Sequence, residues 1–153
     1  MNYWLVVGTL ENWREAFEKG NIWGFRKKQK HRWDVLQEGD VVLFYVMRPV
    51  AGIIGYGTVK TKFRQTHPFW SEELKKKEVI WPLRFEFDVE NCLPPDKWQT
   101  DKLTSELLRF KAGLSPRQIE VSLAQEIIAK FKERRASELE EVASHKEIKQ
   151  KLI

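Results

Sequence analysis

Apolar and polar positions change period along this chain, and the changes mark out its elements. Tyr3-Trp4-Leu5-Val6-Val7 is an apolar run closed by Gly8, which predicts a first strand. Thr9 stands where a helix N-cap belongs. Trp13, Ala16 and Phe17 recur at helical spacing through residues 10–19, and Gly20 suits the position after the last turn. Ile22-Trp23-Gly24-Phe25 reads as a compact aromatic linker. A second short helix follows, seated by Trp33, Val35 and Leu36, then a turn at Gln37-Glu38-Gly39-Asp40. Residues 41–46 form a continuous apolar strand. Residues 51–60 form another, whose Gly52, Gly55 and Gly57 predict bulges or strong bending.

Residues 61–77 are polar and read as a loop apart from Phe69 and Trp70. From Leu83 the pattern alternates. Leu83, Phe85, Phe87 and Val89 are set to one face and Arg84, Glu86 and Asp88 to the other, as in a half-buried antiparallel strand. Pro94-Pro95 breaks the chain. Residues 100–110 predict a helix with Leu103, Leu107 and Phe110 inward, ended by Gly113. Ser115-Pro116-Arg117-Gln118 has the form of a helix start. The last helix then carries Ile119, Leu123, Ile127 and Phe131 at four-residue steps, with Ala124 and Ile128 alongside. Beyond Lys132 apolar positions thin out, so residues 132–153 read as a charged, largely solvated helical extension of a domain at 2–131. The order β-α-α-β-β-loop-β-α-α is α+β, with a short curved sheet flanked by helices.

Composition narrows the function classes. The 153 residues suit one domain, and 42% hydrophobic content supports a core. No apolar run approaches the ~20 residues of a membrane helix, and the N-terminus lacks signal-peptide form. Cys92 is the single cysteine, and His31, His67 and His145 have no metal-ligand spacing. No metal, no cofactor and a cytoplasmic location are therefore expected. No nucleophile elbow, P-loop, dinucleotide fingerprint or metalloprotease helix is present, which argues against an enzyme. The net charge is +5, and five of the seven positions from Arg26 to Arg32 are basic: Arg26, Lys27, Lys28, Lys30 and Arg32. There are seven tryptophans, more than a core of this size needs.

Trp23 lies immediately before that basic run. An indole face stacks on a base while cations hold phosphate, a pairing suited to DNA or RNA. Stacking contributes roughly 1–3 kcal/mol per base, and flipping a base from a duplex costs a few kcal/mol. One stack does not reliably offset the flip, so phosphate contacts or a single-stranded target must contribute. The competing explanation puts Trp23 in the core and the charge run on a solvated helix face.

Five segments in order resemble the EVE domain: residues 2–7, the helix ending at Gly20, Ile22-Trp23-Gly24-Phe25-Arg26, residues 38–45, and Ala51-Gly52-Ile53-Ile54-Gly55. That family is PUA-like and similar to the YTH domains that read N6-methyladenine in RNA. The resemblance implies a small β-barrel flanked by helices, with an aromatic pocket for a modified or flipped base. It implies Trp23 as one wall and either Trp70 or Trp81 as the other. Two parallel walls would stand about 7 Å apart with a flat ring between them. Gly24 occupies a position usually Ser or Thr in YTH domains. Asn12 falls one residue out of register with an asparagine that reads the base edge. Main-chain groups of Gly8, Trp23 and Gly24 would supply other polar contacts. The alternatives are a general RNA-binding PUA-like module and a nucleoside or small-molecule binder.

Overall fold

A computed structural model describes residues 1–105 and 115–151 of the chain, the side chains of 144–151 excepted. The elements in order are β1 (Tyr3–Gly8), α1 (Leu10–Glu18), β2 (Ile22–Phe25), α2 (Lys30–Val35), β3 (Val41–Val46) and β4 (Gly52–Arg64). They continue with α3 (Ser71–Lys76), β5 (Leu83–Cys92), α4 (Trp98–Asp101), β6 (Arg117–Ile119) and α5 (Val121–Lys151). The strands form one curled half-barrel in the order β2-β5-β4-β3-β1-β6. Among the described strands only β1 and β3 run parallel, from Tyr3 opposite Val41 to Gly8 opposite Val46. The curl comes from β4, whose register with β3 shifts at Phe44/Tyr45 and with β5 at Tyr56/Gly57 and Val59/Thr61. At Gly55 a side chain would be driven into β5, since a Cβ there would stand 2.6 Å from Cys92 Cα.

The central strands are apolar without alternation because both sheet faces are covered. Trp4, Val6, Val42, Phe44 and Val46 point into one core with Trp13, Trp23, Phe25, Phe85, Phe87 and Trp98. Leu5, Leu43, Ile53 and Tyr56 point to the other face, which α5 closes with Ala124, Ile127 and Phe131. Past Lys132 that helix exposes Leu139 and Val142.

Several expectations change. Residues 22–25 are a strand rather than a linker, paired from Ile22–Glu86 to Phe25–Leu83. The loop expected at 61–77 is shorter, because β4 runs on to Arg64 against Leu83–Glu86 and α3 occupies 71–76. The helix start expected at Ser115 is β6. The Ser115 hydroxyl accepts from Val7 N at 3.0 Å and so does not cap a helix, and Ile119 pairs with Tyr3. Of the helix expected at 100–110, α4 covers only residues up to 101, and Leu103 exchanges backbone hydrogen bonds with Ile53. Leu107, Phe110 and Gly113 lie outside the described residues. Trp33 of α2 and Leu36 just past its end are buried, whereas Val35 between them in sequence is exposed. Val89 faces Gly57, which has no side chain to cover it, and is exposed. Arg84, expected on the outer face of β5, is buried.

Candidate nucleic-acid pocket

The pocket begins with two turns of helix. Thr9 caps α1, its hydroxyl accepting from Asn12 N at 3.1 Å. One face of α1 then delivers Trp13, which lies flat on Trp23 of β2 with ring centroids 4.0 Å apart and planes 19° apart. Trp13 Nε1 donates to Tyr45 O, which fixes the pair against β3. Gly8 is tight for the same reason, since a side chain there would collide with the Trp23 indole. Trp23 is thus a core residue on one side and a pocket wall on the other.

The remaining walls come from the segment between β4 and β5. Trp70 meets Trp23 edge to face at 6.5 Å and 73°, and Trp81 meets Trp70 at 5.5 Å and 81°. The three indoles enclose a hollow of about 20 Å³ with Asn12 and Gly24. A second, open cavity of about 210 Å³ shares Asn12, Trp23, Gly24 and Trp81, and adds Gly8, Thr9, Arg26, Gln29, Met47 and Ser115 among others. Both tryptophan candidates therefore stand at the same place, with Trp70 at its floor and Trp81 between hollow and cavity. Trp23 and Trp70 are steeply inclined, so they do not form a parallel slot. Trp70 Nε1 is a buried side-chain donor with no hydrogen-bond acceptor among the described residues.

Gly24 explains its own departure from the hydroxyl residue of YTH domains. A Cβ there would lie 2.8 Å from Trp70 Cη2, 2.8 Å from Trp81 Cβ and 2.9 Å from Trp81 O. Any side chain at this position would force two pocket walls apart.

The basic run divides in two. Arg26, Lys27 and Lys28 are exposed and make no ion pair among the described residues. Arg26 lies over the Trp81 ring at 5.9 Å, at the rim of the larger cavity. Gln29 ties this corner down, accepting from Arg26 N and donating to Ser115 O. Lys30 is instead engaged with Asp34 at 2.6 Å, and that hydrogen bond holds the Asp34 carboxyl below its usual range. Arg32 is half-buried and has other contacts.

Two residues that no sequence motif marks organise the walls. Glu73 of α3 is fully buried and ion-paired at 3.0 Å with Arg84, which is 2% exposed. One Glu73 oxygen accepts from Phe69 N and Trp70 N at 2.8 and 3.3 Å. The other accepts from Ile80 N and Trp81 N at 2.8 and 3.1 Å. Arg84 in turn donates to Trp81 O and His67 O, and its guanidinium lies 5.0 Å from the Trp70 ring centre. Burial lowers the proton affinity of Arg84, while Glu73 pulls it the other way. The available signal was Glu73 three residues after Trp70, the spacing of a capping interaction.

Elsewhere, burial pushes the Cys92 thiol up to about 12, so it stays protonated at neutral pH. No group of three or more metal-ligating side chains occurs among the described residues. No described helix is long and apolar enough to cross a membrane.

Known proteins share this architecture. The Mmi1 YTH domain superposes with a TM-score of 0.60 at 13% identity, over 89% of this chain and 78% of its own. The Pho92 YTH domain in complex with m6A superposes at 0.51 and 13%, over 86% and 83% of the two chains. The Pseudomonas syringae protein PSPTO5229 does so at 0.50 and 21%, over 83% and 97%. In sequence, a UPF0310 protein of Pyrococcus abyssi is 35% identical over 46 residues, which is 30% of this chain and 32% of that protein, so the match spans about a third of that relative. The EVE domain family pattern matches residues 2–130, and the chain belongs to the EVE domain family.

Proposed function

We propose that this chain is a binding module, not an enzyme, that holds a strand of DNA or RNA and receives one base carrying a small apolar substituent. The observation that carries this reading is the pairing of the two cavities. A hollow of about 20 Å³ admits one water or one methyl-sized group, whereas the adjoining 210 Å³ has room for a ring. Their shared residues would hold a ring in the larger space with its substituent among the indoles. Asn12 would meet the base edge, while Arg26, Lys27 and Lys28 meet phosphate. The m6A bound by the similar Pho92 YTH domain supports the same class of guest.

The energetics are modest. Burying a methyl is worth roughly 1 kcal/mol at ~25 cal/mol per Å², and a stack roughly 1–3 kcal/mol. The sum favours single strands, where little unstacking is needed. Trp81 is the wall to remove, being half-buried, whereas Trp23 is built into the core. Short DNA and RNA strands carrying N6-methyladenine, 5-methylcytosine or no modification are titrated against wild type and Trp81→Ala. Wild type prefers one modified strand. The variant loses up to about fivefold of that preference, the worth of one buried methyl, binds every strand more weakly for want of a stack, and remains folded. Equal wild-type affinity for every modified strand and its plain counterpart would leave only general nucleic-acid binding and overturn the base-pocket reading.

A further inference from the structure

The geometry points to Glu73 and Arg84 as positioning residues that set base selectivity, by fixing where Trp70 and Trp81 stand against Trp23 and Gly24. This inference rests on the base-binding reading above. Glu73 is the one buried residue of α3, while Leu74 beside it is 55% exposed. A helix serving the core would bury its leucine. This one buries a carboxylate, so its contribution to the interior is a charge with two acceptor oxygens.

Each oxygen holds a different segment: one takes the amides of Phe69 and Trp70, the other those of Ile80 and Trp81. Two pocket walls, eleven residues apart in sequence, therefore share one anchor. Arg84 neutralises that anchor and grips the Trp81 segment a second time through its carbonyl oxygen. A buried ion pair is a poor choice where stability alone is wanted, since apolar replacements often serve as well. It does fix direction and distance, which methyl groups do not. The pocket needs that control, because Trp70 and Trp81 already press on Gly24 with no room for a Cβ. A displacement of a few tenths of an ångström in either wall changes a 20 Å³ hollow by a large fraction of its volume.

Glu73→Gln keeps the size of the side chain but replaces one acceptor with a donor, so one of the two segments loses its anchor. Arg84→Lys keeps the charge and loses the planar fork. The ratio of affinities for modified and plain strands is measured for wild type and both variants, with thermal melts to establish folding. Amide hydrogen exchange is followed at Trp70, Ile80 and Trp81 in the wild type. The expected result is a ratio lowered by up to about fivefold in Glu73→Gln, with the salt dependence of plain-strand binding unchanged, because the exposed cations that meet phosphate are untouched. Arg84→Lys gives a smaller loss in the same direction. In the wild type the three amides exchange slowly and together. A folded Glu73→Gln with the wild-type ratio overturns the positioning role and leaves the base-binding reading standing. A wild-type ratio near one overturns that reading, and the selectivity role with it. If neither variant folds, independent exchange of the Trp70 and Trp81 amides in the wild type overturns the shared anchor, and joint exchange supports it.

Discussion

A single missing β-carbon does much of the shaping at this site. Gly24 lets the backbone of β2 lie directly under Trp70 and Trp81, where any other residue would place an atom 2.8–2.9 Å from both. Gly24→Ala must shift a ring and a carbonyl together, an overpacking change that costs about 1–3 kcal/mol. Urea titration should show the lower midpoint, and the affinity for a modified strand should fall with it. A wild-type midpoint would mean that the walls are softer than described. Residues were unequally legible in the sequence. Trp23 stood out beside the basic run, Trp70 and Trp81 came as alternatives implied by the family resemblance, and the structure brings all three together. Glu73 and Arg84 did not stand out, because a carboxylate beside Glu72 in a Lys-rich stretch and an arginine in an alternating strand both read as surface. Burial of such a pair depends on the partner that folding brings across from it, and the pattern along the chain does not carry that information.

At the scale of elements, local chemistry settled some boundaries, and strand pairing overrode others. Thr9 and Gly20 bracket α1 as their capping preferences dictate, with Gly20 at φ +106°. Ser115-Pro116-Arg117-Gln118 carries equally good helix-start chemistry, yet β1 has a free edge and takes Arg117–Ile119 as a partner. The serine hydroxyl goes to Val7 N. Likewise Ile22–Phe25 is too short to show alternation and becomes a strand through β5. Where an element is held by its own cap, the effect of removing that cap is calculable. Thr9→Ala removes the acceptor for Asn12 N and should lower stability by about 1 kcal/mol in chemical denaturation. Because Asn12 lines both cavities, affinity for the modified strand should fall further than that for the plain one.

For the whole molecule, the net charge of +5 matters less than where unpaired cations sit. Counting the basic run along the sequence suggests five phosphate contacts. The structure leaves three, Arg26, Lys27 and Lys28, since Lys30 is engaged with Asp34 and Arg32 has contacts of its own. At about −0.7 per contact on a single strand, the slope of log affinity against log salt should be about −2 rather than about −3.5. Lys27→Ala combined with Lys28→Ala should flatten it to about −0.7. A slope unchanged by that double substitution would place the strand elsewhere on the surface. The α+β class and the helix-flanked curved sheet were also legible at this scale, through glycine spacing in β4 and the apolar runs of β1 and β3. The half-barrel's strand order was not, because it depends on pairings between segments far apart in the chain.

The Trp13–Trp23 stack has an optical consequence. Two indoles 4.0 Å apart and inclined by 19° lie close enough for their ultraviolet transitions to couple, which splits one absorption band into a pair of opposite circular-dichroism sign. A guest ring laid on the open face of Trp23 would enter that coupled system. Occupancy of the pocket should thereby alter the far-ultraviolet circular dichroism of the unlabelled protein, through a wall that is built into the core.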